Sequence, residues 1–286
     1  MNHNKPKLSI IIVTYNSSKI IGQCLESIKK HNDIGNALEV IIVDNCSSDF
    51  EELKSTVAKS EVPVRLYQNN RNGGYGQGNN IGINNSNAPF IMIMNPDVVL
   101  YMPVFSSVLT KMDNEYIDLL GIEQYEADRK KRHSYFPLRM NFGNMLIYKL
   151  AKSLHYFTPK LFCVHGACFF IRRDAMVKIG CFDENIFLYG EEIDLHTRLQ
   201  RNGAKISFEP SLGYIHPLNE RSFSKKSNNT GLDSQLYLCE KFGWRKEMAI
   251  KDAISILKFE QTKRRLRGLK ADANITSQIS DLRKML

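Results

Sequence analysis

The sequence predicts an α/β fold: a mainly parallel central sheet with helices on both faces, followed by a helical C-terminal extension. Three observations predict it. The first hundred residues alternate short β-branched apolar runs with amphipathic segments, and alternation of this kind implies parallel strands joined by helical crossovers. The strand-like runs are apolar almost throughout, as strands covered on both faces are. From about Asn219 the alternation stops and only helical spacing remains.

The elements follow in order. Leu8 to Tyr15 (LSIIIVTY) reads as a buried strand, and Ile20, Ile21, Cys24, Leu25 and Ile28 fall on one helical stripe after it. Glu39 to Asp44 (EVIIVD) is a second strand, and Ser47, Ser48 and Asp49 are expected to cap a further helix. Val64 to Gln68 and Phe90 to Met94 read as strands, with a helical stripe at Val104, Phe105, Val108, Leu109 and Met112. Residues 123–163 are less regular and carry a basic cluster at Arg129, Lys130, Lys131 and Arg132. CVHGACFFI reads as another strand leading to a short helix from Arg173, Glu192 to Arg201 as a helix, and KISFEP as a strand. SFSKKSNNTG reads as a polar linker. Ile250, Ala253, Ile254 and Leu257, then Ile275, Ile279, Leu282 and Leu286, mark two amphipathic helices. The expected organisation is a domain over 1–218, with halves 1–100 and 101–218, and a basic helical extension over 219–286.

Composition narrows the class. The chain has 286 residues, 43% hydrophobic and 24% charged, which excludes a disordered or collagen-like protein. No apolar run approaches the ~18–20 residues of a spanning helix, and MNHNKPK leads straight into a strand without a signal peptide's apolar segment, so a cytoplasmic location is expected. The six cysteines form no C-x-x-C pair and are expected to be free, mostly buried thiols rather than zinc ligands. The net charge is +9, and from Arg221 to Leu286 Lys and Arg number 15 against 7 Asp and Glu. A basic surface of this kind can meet nucleic acid, anionic lipid or a phosphate-bearing substrate.

In open α/β sheets ligands bind beyond the carboxyl ends of the strands. The short polar residues at those ends are Thr14-Tyr15-Asn16, Asp44-Asn45, Asn69 to Asn80 and Asn95-Pro96-Asp97. The glycine-rich run RNGGYGQGNN (Arg71 to Asn80) lets backbone N–H groups approach a phosphate, or is a plain flexible turn; it has neither the dinucleotide nor the P-loop spacing. Asp44 can accept the imino N–H of a pyrimidine or cap the next helix. Asn95-Pro96-Asp97 can hold Mg²⁺ or Mn²⁺ through its carboxylate, or form a turn. Glu191, Glu192 and Asp194 suit general-base or metal work, although acids in a first helical turn are also favoured by the helix dipole. His216 is a metal ligand or a surface histidine.

Taken together and in order, SIIIVTYN, EVIIVDNCSSD, RNGGYGQGNN, IMNPD, VHGACFFIRRDA, FDENIFLYGEEIDL and YIHP resemble the motifs of family 2 glycosyltransferases of the GT-A fold, over about 210 of the 286 residues. The NPD form with GACFFIRR and FLYGEEIDLHTRL is most similar to the branch containing bacterial rhamnosyltransferases of O-antigen and capsule assembly. The resemblance implies that Thr14, Tyr15 and Asn16 line the nucleotide pocket, and that Asp44 reads the pyrimidine with Asn45 beside it. It places Arg71, Asn72, Gly73 and Asn79 along the nucleotide and ribose, and Asn95 and Asp97 at the D-x-D positions. Asp97 and His216 would hold the metal, Mg²⁺ or Mn²⁺, and Glu192 would be the general base. Two departures stand out: Asn95 replaces the first aspartate, and Glu192 replaces an aspartate, which leaves Glu191 open as the base. The implied reaction is inverting transfer, from dTDP-L-rhamnose or else UDP-galactofuranose or a UDP-hexose, to a lipid-linked saccharide. The basic tail, densest at Lys263, Arg264, Arg265 and Arg267, is expected at an anionic membrane face, or as a packed cap or dimer contact. A non-catalytic nucleotide- or nucleic-acid-binding module is the alternative of a different class, but the sequence carries no nucleic-acid motif.

Overall fold

The computed structural model describes residues 5–127, 134–217 and 225–286. The elements of the first part run β1 (Leu8–Thr14), α1 (Ile21–Lys30), β2 (Leu38–Asp44), α2 (Phe50–Ala58), β3 (Val64–Gln68), α3 (Gly74–Asn84), β4 (Phe90–Met94), β5 (Val99–Leu100), α4 (Phe105–Asn114) and β6 (Leu119–Tyr125). After them come β7 (Tyr135–Pro137), α5 (Phe142–Ser153), β8 (Phe162–Val164), β9 (Cys168–Arg172), α6 (Arg173–Lys178), α7 (Glu191–Arg201), β10 (Ile206–Ile215), α8 (Lys225–Phe242), α9 (Lys246–Leu266) and α10 (Ala273–Lys284). They divide into two compact units: residues up to Phe136 with those from Cys163 through β10, and Pro137–Phe162 with the C-terminal helices. Pro137–Phe162, expected within the first domain, thus group with the extension, while the expected boundary at 218/219 and the basic cluster 129–132 lie outside the described residues.

The first unit is built on an eight-stranded sheet in the order β3-β2-β1-β4-β9-β6-β10-β5. β3, β2, β1 and β4 run parallel, as do β6 and β10. β9 enters antiparallel between β4 and β6, and β5 is antiparallel to β10. The central strands are buried on both faces, which their continuous apolar runs require. Ile10, Ile12, Val40, Ile42, Met92 and Met94 point into the main core, where they meet Ile21, Cys24, Leu25 and Ile28 of α1 and Phe105, Val108 and Met112 of α4. On the other face α3 lies against β1. A Cβ at Gly82 would fall 2.4 Å from Ile11 Cγ2, and one at Gly78 would fall 2.7 Å from Val13 Cγ1. The glycine-rich run is therefore mostly helix; Gly78, with Gly82 one turn later, lets that helix approach the sheet, while Gly74 and Gly76 lie against Phe187 and Phe182–Asp183.

Three local expectations change. Ser47, Ser48 and Asp49 do not cap α2, whose N-cap Asp49 makes no side-chain capping bond. Asp49 Oδ2 instead accepts the Ser18 amide (2.9 Å), Ser47 Oγ accepts the Asn16 amide (2.8 Å), and the Ser48 amide donates to Asn16 Oδ1 (3.0 Å). The loop after β1 competes for the same side chains, because its own amides need acceptors. CVHGACFFI is broken into β8 and β9 by His165-Gly166-Ala167, and SFSKKSNNTG is helical from Lys225. Of the cysteines, Cys24, Cys163, Cys168 and Cys239 are buried and Cys46 is exposed.

In the second unit the stripes of the C-terminal helices face one another. Ile250 and Ile254 of α9 pack with Leu282 of α10, joined by Leu232 and Leu236 of α8, Ala253, Leu257 and Ile279. Gln261 fastens the turn between α9 and α10 by donating to the Asp272 carbonyl (2.7 Å) and accepting its amide (3.0 Å). Lys263 pairs with Glu260 at 3.2 Å and Arg264 lies 3.9 Å from Asp272. Most of the two apolar stripes, expected at a membrane face or in a packed cap or dimer contact, is thus taken up by packing among these helices, with Leu286 left exposed.

Candidate active site

At the carboxyl edge of the sheet, Thr14, Asp44 and Gln68 stand in register on β1, β2 and β3. Asp44 is fully buried. Its Oδ1 accepts Thr14 Oγ1 (3.2 Å) and the Ser47 hydroxyl, and its Oδ2 accepts the Ser47 amide at 2.9 Å. It does not cap α2. Asn45 ties β1 to α3: its amide donates to the Thr14 carbonyl and its side chain to the Gly74 carbonyl, both at 2.8 Å. Asn72 Oδ1 accepts the Gly74 amide at 3.1 Å, which sets the turn into α3 behind its N-cap, Gly73. Asn16 holds the left-handed turn after β1 at φ 51°. Tyr15 and Arg71 are exposed at this edge. Asn79 lies a turn inside α3, almost fully buried, with its amide on the Tyr75 carbonyl at 2.9 Å.

A second group gathers around His165-Gly166-Ala167. Asn95 follows β4, and Asn95-Pro96-Asp97 is a turn closed by the Val98 amide on the Asn95 carbonyl (3.2 Å). The Asn95 amide donates to the Ala167 carbonyl at 2.8 Å. The turn presents Asp97 Oδ1 at 3.1 Å from Nε2 of His216, which follows β10, and both side chains are largely enclosed. The His165 ring lies 6.4 Å from that of His216. Glu192 Oε1 accepts the Gly166 amide at 3.2 Å, and Tyr75 donates its hydroxyl to the Gly166 carbonyl at 2.7 Å. A Cβ at Gly166 would fall 2.6 Å from Glu192 Oε1. One three-residue turn therefore fixes the end of β4 and the starts of α3 and α7.

The acids at the start of α7 have different fates. Asp194 is buried and held by Arg198 Nε at 2.8 Å, so it is a structural ion pair rather than a base or ligand. Glu191 is buried, and burial followed by the neighbouring Glu192 charge pushes its carboxyl up to about 8. Its Oε1, like Asn79 Oδ1, is buried without a hydrogen-bond partner among the described residues. Orphaned polar atoms of this kind cost about 1–3 kcal/mol each and mark places where something other than folding sets the residue. Burial also raises the Tyr75 hydroxyl, helped by the Glu192 and Glu191 charges, which places that ring beside both acids.

Among the described residues no group of three or more His, Cys, Asp or Glu side chains could hold a metal ion. The donor chemistry of Asp97 and His216 nevertheless fits a divalent cation: one hard carboxylate oxygen and one imidazole nitrogen, already 3.1 Å apart. Asn95 adds no carboxylate. His165, Gly166 and Tyr75 were missed as site residues in sequence. His165 and Gly166 lay within an apolar run and Tyr75 among glycines, and only the break after Val164 reveals their place.

Residues 9–180 match the family described as Glycosyl transferase family 2. The chain belongs to this family. Among relatives, it is 27% identical to the low-salt glycan biosynthesis hexosyltransferase Agl10 of Haloferax volcanii over 76% of this chain and 69% of that one. It is 24% identical to the rhamnosyltransferase WbbL of Escherichia coli over 59% of this chain and 71% of that one. The crystal structure of S. aureus TarS 1–349 superposes with a TM-score of 0.63 at 17% identity, covering 95% of this chain and 77% of that one. The mannosyltransferase PcManGT from Pyrobaculum calidifontis, in complex with GDP-Man and Mn²⁺, superposes with a TM-score of 0.58 at 15% identity, covering 96% and 68%. The chain spans 43% of the longer TarS structure. These likenesses establish the GT-A fold and a glycosyltransferase. The family match ends at residue 180, so Glu191, Glu192 and His216 stand on geometry and motif resemblance.

Proposed function

We propose that this glycosyltransferase moves L-rhamnose from dTDP-L-rhamnose, with inversion, to a hydroxyl of a lipid-linked saccharide in bacterial surface polysaccharide synthesis. The observation that carries the mechanism is the convergence of Asp97, His216 and Glu192 on the His165–Ala167 turn. The relationship to WbbL, a rhamnosyltransferase, supports the donor sugar.

The pyrimidine lies at the β1–β2 edge. Thr14 and Ser47 fix the Asp44 carboxylate with three hydrogen bonds, leaving one of its roughly four lone-pair positions for the base's imino N–H. Asn16, Asn45, Asn72 and Gly73 shape the loops beside it, with Tyr15 and Arg71 as exposed walls. Asp97 and His216 would hold a Mg²⁺ or Mn²⁺ ion, which would supply positive charge to offset that of the donor diphosphate. Glu192, oriented by the Gly166 amide, takes the proton from the acceptor hydroxyl. The new bond forms at C1 as the C1–diphosphate bond breaks on the opposite face, through an oxocarbenium-like state. Burial and the neighbouring Glu192 charge push the Glu191 carboxyl up, whereas Glu192 is held by the Gly166 amide, which favours Glu192 as the base.

A UDP-sugar is the second reading of the same site, favoured by the TarS structures with UDP and UDP-GlcNAc. Calorimetric binding of dTDP-L-rhamnose, UDP-galactofuranose and UDP-hexoses in Mn²⁺ decides between them. Tightest binding of a UDP-sugar would replace rhamnose, and binding of none would return the chain to a module that handles some other ligand.

A further inference from the structure

We infer that the exposed face of α5 lies in the interface plane of an anionic lipid bilayer. α5 begins at a proper cap, Asn141 Oδ1 accepting the Asn144 amide at 2.9 Å, and buries only one side, through Tyr148 and Ala151. Leu146, Ile147 and Leu150 within the helix and Leu154 just beyond it are 52%, 48%, 63% and 67% exposed. At helical spacing these four fall within an arc of about 100°, with no charged residue inside it. Tyr156 and Leu161, later in the same segment, are exposed as well. Contiguous apolar patches of this kind are rare on monomeric proteins and mark contact surfaces.

Charge selects the occupant. Pro137–Phe162 contain Arg139, Lys149, Lys152 and Lys160 and not one Asp or Glu. Arg139 is paired with Asp252 at 2.6 Å, and Lys149 and Lys152 flank the apolar arc on one side. A second copy docked on this face about a two-fold axis would set these lysines against themselves, whereas a layer of anionic headgroups complements them. Leucine on one face, lysine beside it and tyrosine at the end is the pattern of a helix lying in the headgroup–acyl boundary. Twelve residues span about 18 Å, too short for a hydrocarbon core of about 30 Å, so the helix lies flat. No described helix is long and apolar enough to cross a membrane. In the C-terminal helices Ile250, Ile254, Leu257, Ile279 and Leu282 are already packed together, and the exposed Leu266, Leu269 and Leu286 lie at or just beyond helix ends rather than on one helix face. The inference does not depend on which sugar is transferred.

The test is co-sedimentation of the full chain with vesicles of phosphatidylglycerol and phosphatidylcholine in equal parts, and with phosphatidylcholine alone, at several salt concentrations. The chain should bind the anionic vesicles and release them as salt rises. Leu146→Ser/Leu150→Ser should weaken that binding by at least about tenfold, and Lys149→Gln and Lys152→Gln by about fivefold each. Leu146, Lys149 and Leu150 are exposed and Lys152 is half-buried, so thermal melting of the leucine and Lys149 variants should stay within a few degrees of the parent, and Leu150→Ala alone gives a milder check. Unchanged vesicle binding by the leucine variants, or no binding by the parent, overturns the inference. So does concentration-dependent self-association that the leucine variants abolish, which would make the face a contact between copies.

Discussion

Gly166 shows how much of the site rests on single backbone positions. Its amide holds Glu192, its carbonyl takes the Tyr75 hydroxyl, and its missing Cβ leaves room for the Glu192 carboxylate. Gly166→Ala should therefore displace the base without touching the nucleotide edge: turnover should fall about 10–100-fold with donor KM nearly constant. A rise in donor KM with unchanged turnover would show that Gly166 does not position the base. Glu191 gives a pH signature. Its carboxyl is raised to about 8 when folded and titrates near 4.5 otherwise, so between those values the folded state holds the extra proton. The stability it contributes is complete below the unfolded value and is lost as pH climbs through the folded one. Melting temperature should fall from about pH 5 to about pH 9, and Glu191→Gln should flatten that fall and gain stability at the alkaline end. An identical slope in the variant would remove Glu191 from the account.

At the scale of elements, β1, β2 and β4 were legible because a strand covered on both faces must be an unbroken apolar run, and a helix covered on one face must show a stripe. What was not legible is equally physical. β9 reads as one strand with the residues before it, because nothing in VHGACFF tells a chain to turn at His165 and re-enter the sheet antiparallel. The glycines of RNGGYGQGNN suggest a loop by their flexibility, whereas Gly78 serves close approach of α3 to β1, and Gly74 and Gly76 close approach to Phe187 and Phe182. The C-terminal stripes gave helices correctly but could not say what they face. α3 provides a test: Gly→Ala within a helix ordinarily gains about 1 kcal/mol. At Gly82 the new methyl meets Ile11, a β-branched side chain with little rotamer freedom in its strand, so Gly82→Ala should instead cost about 1–2 kcal/mol. Chemical denaturation measures it, and a stabilised Gly82→Ala would mean that α3 can move off the sheet.

For the whole molecule, the sheet does the organising. Its carboxyl edge carries Thr14, Asp44 and Asn95, and the turn that leads into antiparallel β9 brings Gly166 to Glu192 and His165 beside His216, the partner of Asp97. The residues at the carboxyl edge were visible in the sequence as polar residues after apolar runs. The group around Gly166 was visible only as motifs, because its residues come from turns whose geometry no periodicity encodes. The account makes the two ends separable: one binds the donor, the other removes a proton. The measurement that tests this most directly is nucleoside diphosphate release from the preferred donor with acceptor present, in parent, Glu192→Gln and Glu191→Gln proteins, alongside calorimetric donor affinity. The account predicts that Glu192→Gln binds donor as the parent does and loses about 10²–10⁴-fold in release, while Glu191→Gln keeps most of the activity. Near-normal release by Glu192→Gln with a dead Glu191→Gln would contradict it.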